Sequence, residues 1–275
     1  MIDAHHHLWT YAAEEYPWMT DDKAILRRDY GIADLEAVLE PHGIDRTVLV
    51  QARQSLEETA ALAAIRKDSD LVAGVVGWVP LEDEAVGDVL AEWADRLVGV
   101  RHVIQDERDG FMERPAFNEG LARLVEHSLA YDLLLYPRQL AEAIKLVDRH
   151  EEVRFVIDHA AKPRIGSSFD AHWDRLIREI AQRPNVFCKV SGLTTEVQLP
   201  AWTVDTIRPY FETLVDAFTP RRLMYGSDWP VALLSTTYER WFDAVTELAK
   251  GLTKPERNDL FAKTAERVYR LKKKG

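Results

Sequence analysis

The sequence predicts an eight-stranded parallel (β/α)8 barrel of the TIM type, and three observations carry that prediction. Short runs rich in branched apolar residues alternate with helically spaced stretches from one end of the chain to the other. Most of these runs are continuously apolar, as expected of parallel strands covered on both faces. The chain has 275 residues, close to the size at which a single barrel domain closes.

The strand-like runs are Ile2–Leu8, Thr47–Gln51, Val72–Val79, Val98–Val103, Tyr131–Tyr136, Arg154–His159, Asn185–Ser191 and Arg222–Asp228. Between them lie stripes at helical spacing: Val86, Val89, Leu90, Trp93 and Leu97; then Leu140, Ala143, Ile144 and Val147; then Trp173, Leu176, Ile177 and Ile180; then Val204, Ile207, Phe211, Leu214, Val215 and Phe218. Each stripe would bury one helical face against a sheet. Further helices are expected at about 33–42, 56–67, 115–128, 236–249 and 255–270. Repeated strand–helix alternation implies right-handed crossovers and a parallel sheet. Eight units favour closure, with an open doubly wound sheet as the alternative. No linker-like composition break divides the chain, so residues 1–275 read as one domain. The aromatic stretch Thr10–Asp29 follows the first strand and reads as a lid or pocket wall.

Composition narrows the function. Hydrophobic residues make up 47% and charged residues 29%, as in an ordinary globular protein. The net charge of −11, from 35 basic and 46 acidic residues, repels phosphate backbones and argues against nucleic acid. Lys272, Lys273 and Lys274 read as a solvated tail. No apolar run reaches membrane-spanning length, and no basic-then-apolar leader opens the chain. A cytoplasmic protein without membrane contact, monomeric or homodimeric, is expected. The lone cysteine, Cys188, lies inside an apolar run and reads as a small core residue.

In a parallel barrel the chemistry collects where strands end. The first run contains Asp3–Ala4–His5–His6–His7–Leu8–Trp9. Residues two apart on a strand point the same way, so His5 and His7 present two imidazoles to one point while His6 faces away. Two convergent neutral imidazoles form half of a divalent-metal site. The sixth run ends at Asp158–His159 and the eighth at Gly226–Ser227–Asp228–Trp229–Pro230. A histidine and an aspartate at the tips of apolar strands are costly to bury unpaired. Arg53, Trp78, Arg101, His102, Lys162 and Trp229 lie at or just beyond strand ends and are candidates to line a substrate pocket. Arg101 and His102 point to opposite sides of their strand, so only one of them should face the substrate. Glu196 could reach the site from the seventh loop. His42, His127, His150 and His172 fall on expected helices and read as structural or exposed.

His5-x-His7, His159 and Asp228, in that order on strands one, six and eight, resemble the amidohydrolase superfamily. Further stretches resemble its sugar-lactone hydrolase branch, which includes L-fuconolactonases and L-rhamnonolactonases. They are Tyr16–Pro17–Trp18, Val50–Gln51–Ala52–Arg53, Val76–Gly77–Trp78, Gly99–Val100–Arg101–His102, Gln105–Asp106–Glu107, Lys162–Pro163, Lys189–Val190–Ser191–Gly192–Leu193 and Gly226–Ser227–Asp228–Trp229–Pro230. The resemblance implies an amidohydrolase-like barrel that opens a sugar lactone, with Asp228 as general base and His159 as a catalytic group. It implies one divalent ion, zinc, held by His5, His7 and Asp228, or no metal. Binuclear members carry a bridging lysine or glutamate on strand four and a histidine on strand five. Here the fourth run ends Val100–Arg101–His102 and the fifth Leu134–Leu135–Tyr136, so two metals are not expected. Alternatives within the superfamily are a metal-dependent decarboxylase and a hydrolase for dicarboxylate lactones, for which Arg53, Arg101 and Arg138 would supply charge. A non-catalytic sugar-binding barrel is the alternative outside enzymes. No Gly-x-Gly-x-x-Gly or Gly-x-Ser-x-Gly motif is present.

Overall fold

A computed structural model describes residues 1–272; of the three-lysine tail, Lys272 is exposed and Lys273 and Lys274 lie outside the described residues. Eight parallel strands run in sequential order: β1 Ile2–His6, β2 Arg46–Val50, β3 Val72–Gly77, β4 Gly99–His102, β5 Ala130–Leu133, β6 Arg154–Ile157, β7 Val186–Val190 and β8 Leu223–Tyr225. Backbone hydrogen bonds from Asp228 N to His5 O (2.8 Å) and from His7 N to Trp229 O (2.7 Å) join the last strand to the first, closing the barrel. The intervening helices are α1 Ile32–Leu39, α2 Leu56–Asp68, α3 Val86–Trp93, α4 Pro115–Arg123, α5 Leu140–Arg149, α6 Ala171–Ile180, α7 Val204–Phe218 and α8 Tyr238–Leu248. The chain then runs through α9 Lys254–Asn258, a π-turn at Asp259–Lys263 and α10 Thr264–Val268.

Most strands are shorter than the apolar runs. The first run continues to Leu8, but β1 stops at His6; the eighth continues to Asp228, but β8 stops at Tyr225. The surplus residues leave the ladder to enter the mouth, which is why the candidate residues lie there. The helix expected over 115–128 ends at Arg123, so His127 sits in the following turn. His42 sits in a 3-10 turn after α1, and His150 caps α5.

Alternation along the strands sorts the side chains into two populations. Leu49, Val75, Val100, Tyr131, Leu133, Phe155, Ile157, Cys188, Val190 and Tyr225 point outward and pack against the helices. Ala4, Val48, Val50, Val76, Ala130, Val156 and Met224 point inward and form a separate cluster with Ala265, Val268 and Tyr269, so the C-terminal segment plugs the barrel floor. The register of β1 against β2 slips between Asp3 and His6. This bulge lets His5 turn inward although Ala4 already does, and bulges re-aim side chains in this way near active sites.

The stretch after β1 covers the mouth. Trp9 and Tyr30 exchange backbone hydrogen bonds (3.1 and 3.0 Å), pinching off the excursion between them. Tyr30 packs edge-on against Trp229, with ring centroids 5.2 Å apart. Tyr16 donates to Glu58 (3.4 Å), and Glu15 pairs with Arg53 (2.5 Å). The last two contacts tie the Thr10–Asp29 segment to α2 and to the loop before it.

Candidate active site

His5 and His7 reach one point from β1 and the residue just past it, with Nε2 atoms 3.2 Å apart. Asp228 arrives from beyond β8 with a left-handed backbone (φ 58°). Its Oδ1 lies 3.7 Å from His5 Nε2, 3.4 Å from His7 Nε2 and 3.8 Å from His159 Nε2. All four side chains are buried. His159 opens a run of four left-handed residues, His159, Ala160, Ala161 and Lys162. Strain of this kind, held in place by surrounding structure, is characteristic of functional sites. Gly192 makes room for it: a Cβ there would lie 2.5 Å from His159 Nδ1.

The imidazoles are oriented from behind. His7 Nδ1 donates to Val50 O (2.8 Å), which leaves its Nε2 lone pair facing the site. His159 Nδ1 meets Ser191 Oγ at 2.9 Å. His5 Nδ1 faces Lys189 Nζ at 3.1 Å and Asp158 Oδ1 at 3.3 Å. His6 points outward to Thr47 Oγ1 (2.9 Å). Burial holds the His159 imidazole down to about 4 and, with the Lys189 cation, His5 well below its ordinary value. Both rings are therefore neutral at pH 7. Burial alone would raise the Asp228 carboxyl, but His159, His7 and Lys162 outweigh it and hold it below the usual range.

Beneath these groups lies a layer of buried charge. Lys189 donates to Asp132 (2.6 Å) and pairs with Asp158 (2.9 Å). Arg101 pairs with Asp158 (2.9 Å) and donates to Gln51 O. Tyr269, from the floor, donates to both oxygens of Asp132 (2.9 and 2.8 Å). Lys189 and Arg101 balance Asp132 and Asp158, which leaves Asp228 as an unmatched carboxylate facing three imidazoles. That donor set suits a divalent cation: two Nε2 atoms and a carboxylate oxygen, from His5, His7 and Asp228, lie within 4.8 Å of one another, with the ring of His7 fixed by a backbone carbonyl as metal-binding histidines usually are. His5, Asp158 and His159 form a second group of the same spread, but Asp158 is already paired with Lys189 and Arg101. Strands four and five contribute Arg101 and Asp132, which are held in the ion network.

The remaining candidates divide. Arg101 faces inward and His102 does not: His102 stacks on Phe111 (centroids 4.8 Å apart), accepts from Trp78 Nε1 (3.4 Å) and pairs with Glu107 (2.9 Å). Trp229 is buried against Tyr30. Arg53 is engaged by Glu15, and Arg138 sits on the surface against Asp109 (2.6 Å). With Arg101 also paired, each of the three arginines that a dicarboxylate lactone would need already has a carboxylate partner. Lys162 and Glu196 meet at the mouth, 3.9 Å apart. Sequence reasoning did not single out Asp132, Lys189 or Glu58. The signal was available for the first two: a charge inside an apolar strand, at the inward phase, must find a partner.

The family model described as "Amidohydrolase" matches residues 2–271. The chain belongs to the amidohydrolase family. It is 37% identical to an L-fucono-1,5-lactonase of Burkholderia multivorans, over 98% of this chain and 96% of that one. It is 35% identical to an L-fucono-1,5-lactonase of Burkholderia ambifaria, over 98% and 95% of the two chains. A crystal structure of an amidohydrolase from Burkholderia multivorans with bound zinc superposes with a TM-score of 0.95 at 38% identity, covering 98% of this chain and 99% of that one.

Proposed function

We propose that this amidohydrolase opens a sugar lactone, L-fuconolactone or a related aldonolactone, to the aldonic acid. The observation that carries the reading is the convergence of His5, His7, His159 and Asp228 at the mouth of the barrel. The full-length similarity to two L-fucono-1,5-lactonases supplies the substrate class.

Asp228, ionised and faced by the neutral imidazoles of His5 and His159, takes a proton from the attacking water. The hydroxide adds to the lactone carbonyl. The oxyanion that develops needs donors already aimed at it, and His159, with Ser191 behind it, faces that side of Asp228. Asp228 then passes its proton to the ring oxygen as the ester bond breaks, and the carboxylic acid product ionises in solvent. His5, His7 and Asp228 are the residues that would hold a single zinc ion, as the zinc-bound relative suggests. Bound there, such an ion would act as a Lewis acid on the carbonyl and lower the pKa of water. Trp18, whose indole N–H is buried with no partner among the described residues, together with Trp78 and Lys162, lines the approach for the hydroxyls of the sugar.

The test is a panel of aldonolactones followed by acid release with a pH indicator, run with and without chelator and with added zinc. L-fucono-1,5-lactone is expected among the fastest substrates, with chelated enzyme recovering on zinc addition. Tight sugar binding without turnover across the panel would make the protein a binding barrel instead, and release of carbon dioxide from an aromatic acid would make it a decarboxylase.

A further inference from the structure

Lys162 and Glu196 come from different loops and carry opposite charges, yet they do not form a close ion pair. Lys162 ends the left-handed run that begins at His159, and Glu196 ends the 3-10 turn Leu193–Glu196 after β7. Lys162 Nζ and Glu196 Oε1 stand 3.9 Å apart, beyond hydrogen-bonding reach. The ammonium makes no hydrogen bond among the described residues; it also lies over the face of Tyr136, 5.3 Å from Nζ. Glu196 receives only a marginal contact from Thr195 Oγ1 (3.5 Å). Both side chains are partly buried, at 16% and 20% exposure. Their charged ends make fewer hydrogen bonds than an ammonium and a carboxylate can, and that capacity is open to a ligand at the mouth.

The loops that carry them are fixed. Ile165 N donates to Glu196 O (3.3 Å), and Gln198 N donates to Ile165 O (2.8 Å). Ser235 Oγ donates to Thr194 Oγ1 (2.8 Å), which ties the same turn to the β8 loop. Lys162 and Glu196 are therefore held at a set spacing between the loop of His159 and that of Asp228, at the edge of the reaction centre.

We propose that Lys162 and Glu196 form a two-point clamp for adjacent ring hydroxyls of the substrate, and so decide which polyhydroxylated lactones the enzyme accepts. This rests on the lactone-hydrolase reading above. The pair is electrically balanced. An anionic substrate group would meet Glu196, a cationic one would meet Lys162, and an apolar one would leave both charges buried and unserved. A neutral diol suits both ends: one hydroxyl accepts from Lys162 Nζ, and its neighbour donates to a Glu196 oxygen. Recognition by charged groups that demand a hydroxyl penalises the analogue lacking it far more than a missing methylene does.

The test compares kcat/KM for a hydroxylated aldonolactone with that for its monodeoxy analogues, in wild type, Lys162→Met, Glu196→Ala and the isosteric Glu196→Gln. Wild type should prefer the hydroxylated lactone over at least one deoxy analogue by about 100-fold. Lys162→Met and Glu196→Ala should reduce that preference to within a few-fold, with Glu196→Gln, which keeps one acceptor oxygen, intermediate. Circular dichroism checks that each variant folds, and Glu196→Gln carries the test if Glu196→Ala does not. An active wild type that shows no such preference overturns the clamp alone. So do variants that lose activity equally on both lactones, because they reduce the pair to a tie between loops. A wild type inactive on every lactone overturns the underlying reading, and the clamp with it.

Discussion

The barrel interior holds two environments on the same strands, one residue pair apart. Ala130, Val156, Phe187 and Met224 pack in or against the lower, apolar layer. Two residues later on the same strands stand Asp132, Asp158, Lys189 and Gly226. Gly226 is small because a Cβ there would come within 2.7 Å of His5 Cβ. The lower layer is closed by the C-terminal segment and contributes stability through excluded water. The upper layer is built of charges paired with one another, with Tyr269 and the Gln51 carbonyl completing their hydrogen bonds. The difference shows how a barrel divides its labour along its axis: the floor holds the fold, and the rim holds groups whose burial is costly and whose chemistry is useful.

That division can be broken at several points. The largest effect is expected from Asp228→Asn, which leaves shape intact and removes the proposed base. Its kcat on the best lactone should fall by about 10⁴-fold, while its thermal midpoint, measured with chelator present, is not lowered. Substantial residual turnover would refute Asp228 as base. Next is Lys189→Met, which removes the cation paired with Asp132 and leaves Arg101 as the cation paired with Asp158. Breaking a buried ion network at one partner typically costs about 3–5 kcal/mol, and a urea titration should show a loss of that order. A smaller loss would mean that the carboxylates take up protons or water instead. Val48→Ala, in the lower layer, should cost about 2 kcal/mol through the cavity it opens with kcat/KM unchanged within twofold. A large kinetic effect there would show that the two layers are mechanically coupled.

The smallest effect concerns pH. Glu58 is buried and accepts from Ala52 N (3.0 Å) and Arg53 N (2.9 Å). Burial pushes its carboxyl up to about 7, against the favourable pull of those amides and of Arg53. The folded state then binds more protons than the unfolded state between pH 4.5 and 7, so Glu58 makes stability fall as pH rises through that window. Glu58→Gln retains an acceptor for both amides and should flatten this part of the stability profile. An unchanged slope would place the titration elsewhere.

The fold was almost fully legible, because eight runs of branched apolar residues can be covered on both faces in few ways. The His5/His7 pair was legible for the same reason: period two is a local property. What could not be read was where each strand stops. The left-handed turns at His159–Lys162 and Asp228 are made by non-glycine residues, and nothing local announces them. The choice between Arg101 and His102 needed the register of β4 in the closed barrel. Arg53 looked free for substrate but is held by Glu15, a partner 38 residues earlier that only the lid fold brings near.

The hydroxyl that steadies Asp132 belongs to Tyr269, which follows α10, beyond the last strand. Without that ring the cylinder would have an open base, through which water would reach Asp132 and Lys189 and weaken their mutual attraction. Lys189 is also the cation that holds the His5 imidazole down. A tyrosine at the foot of the barrel thus bears on the proton affinity of a histidine at its mouth.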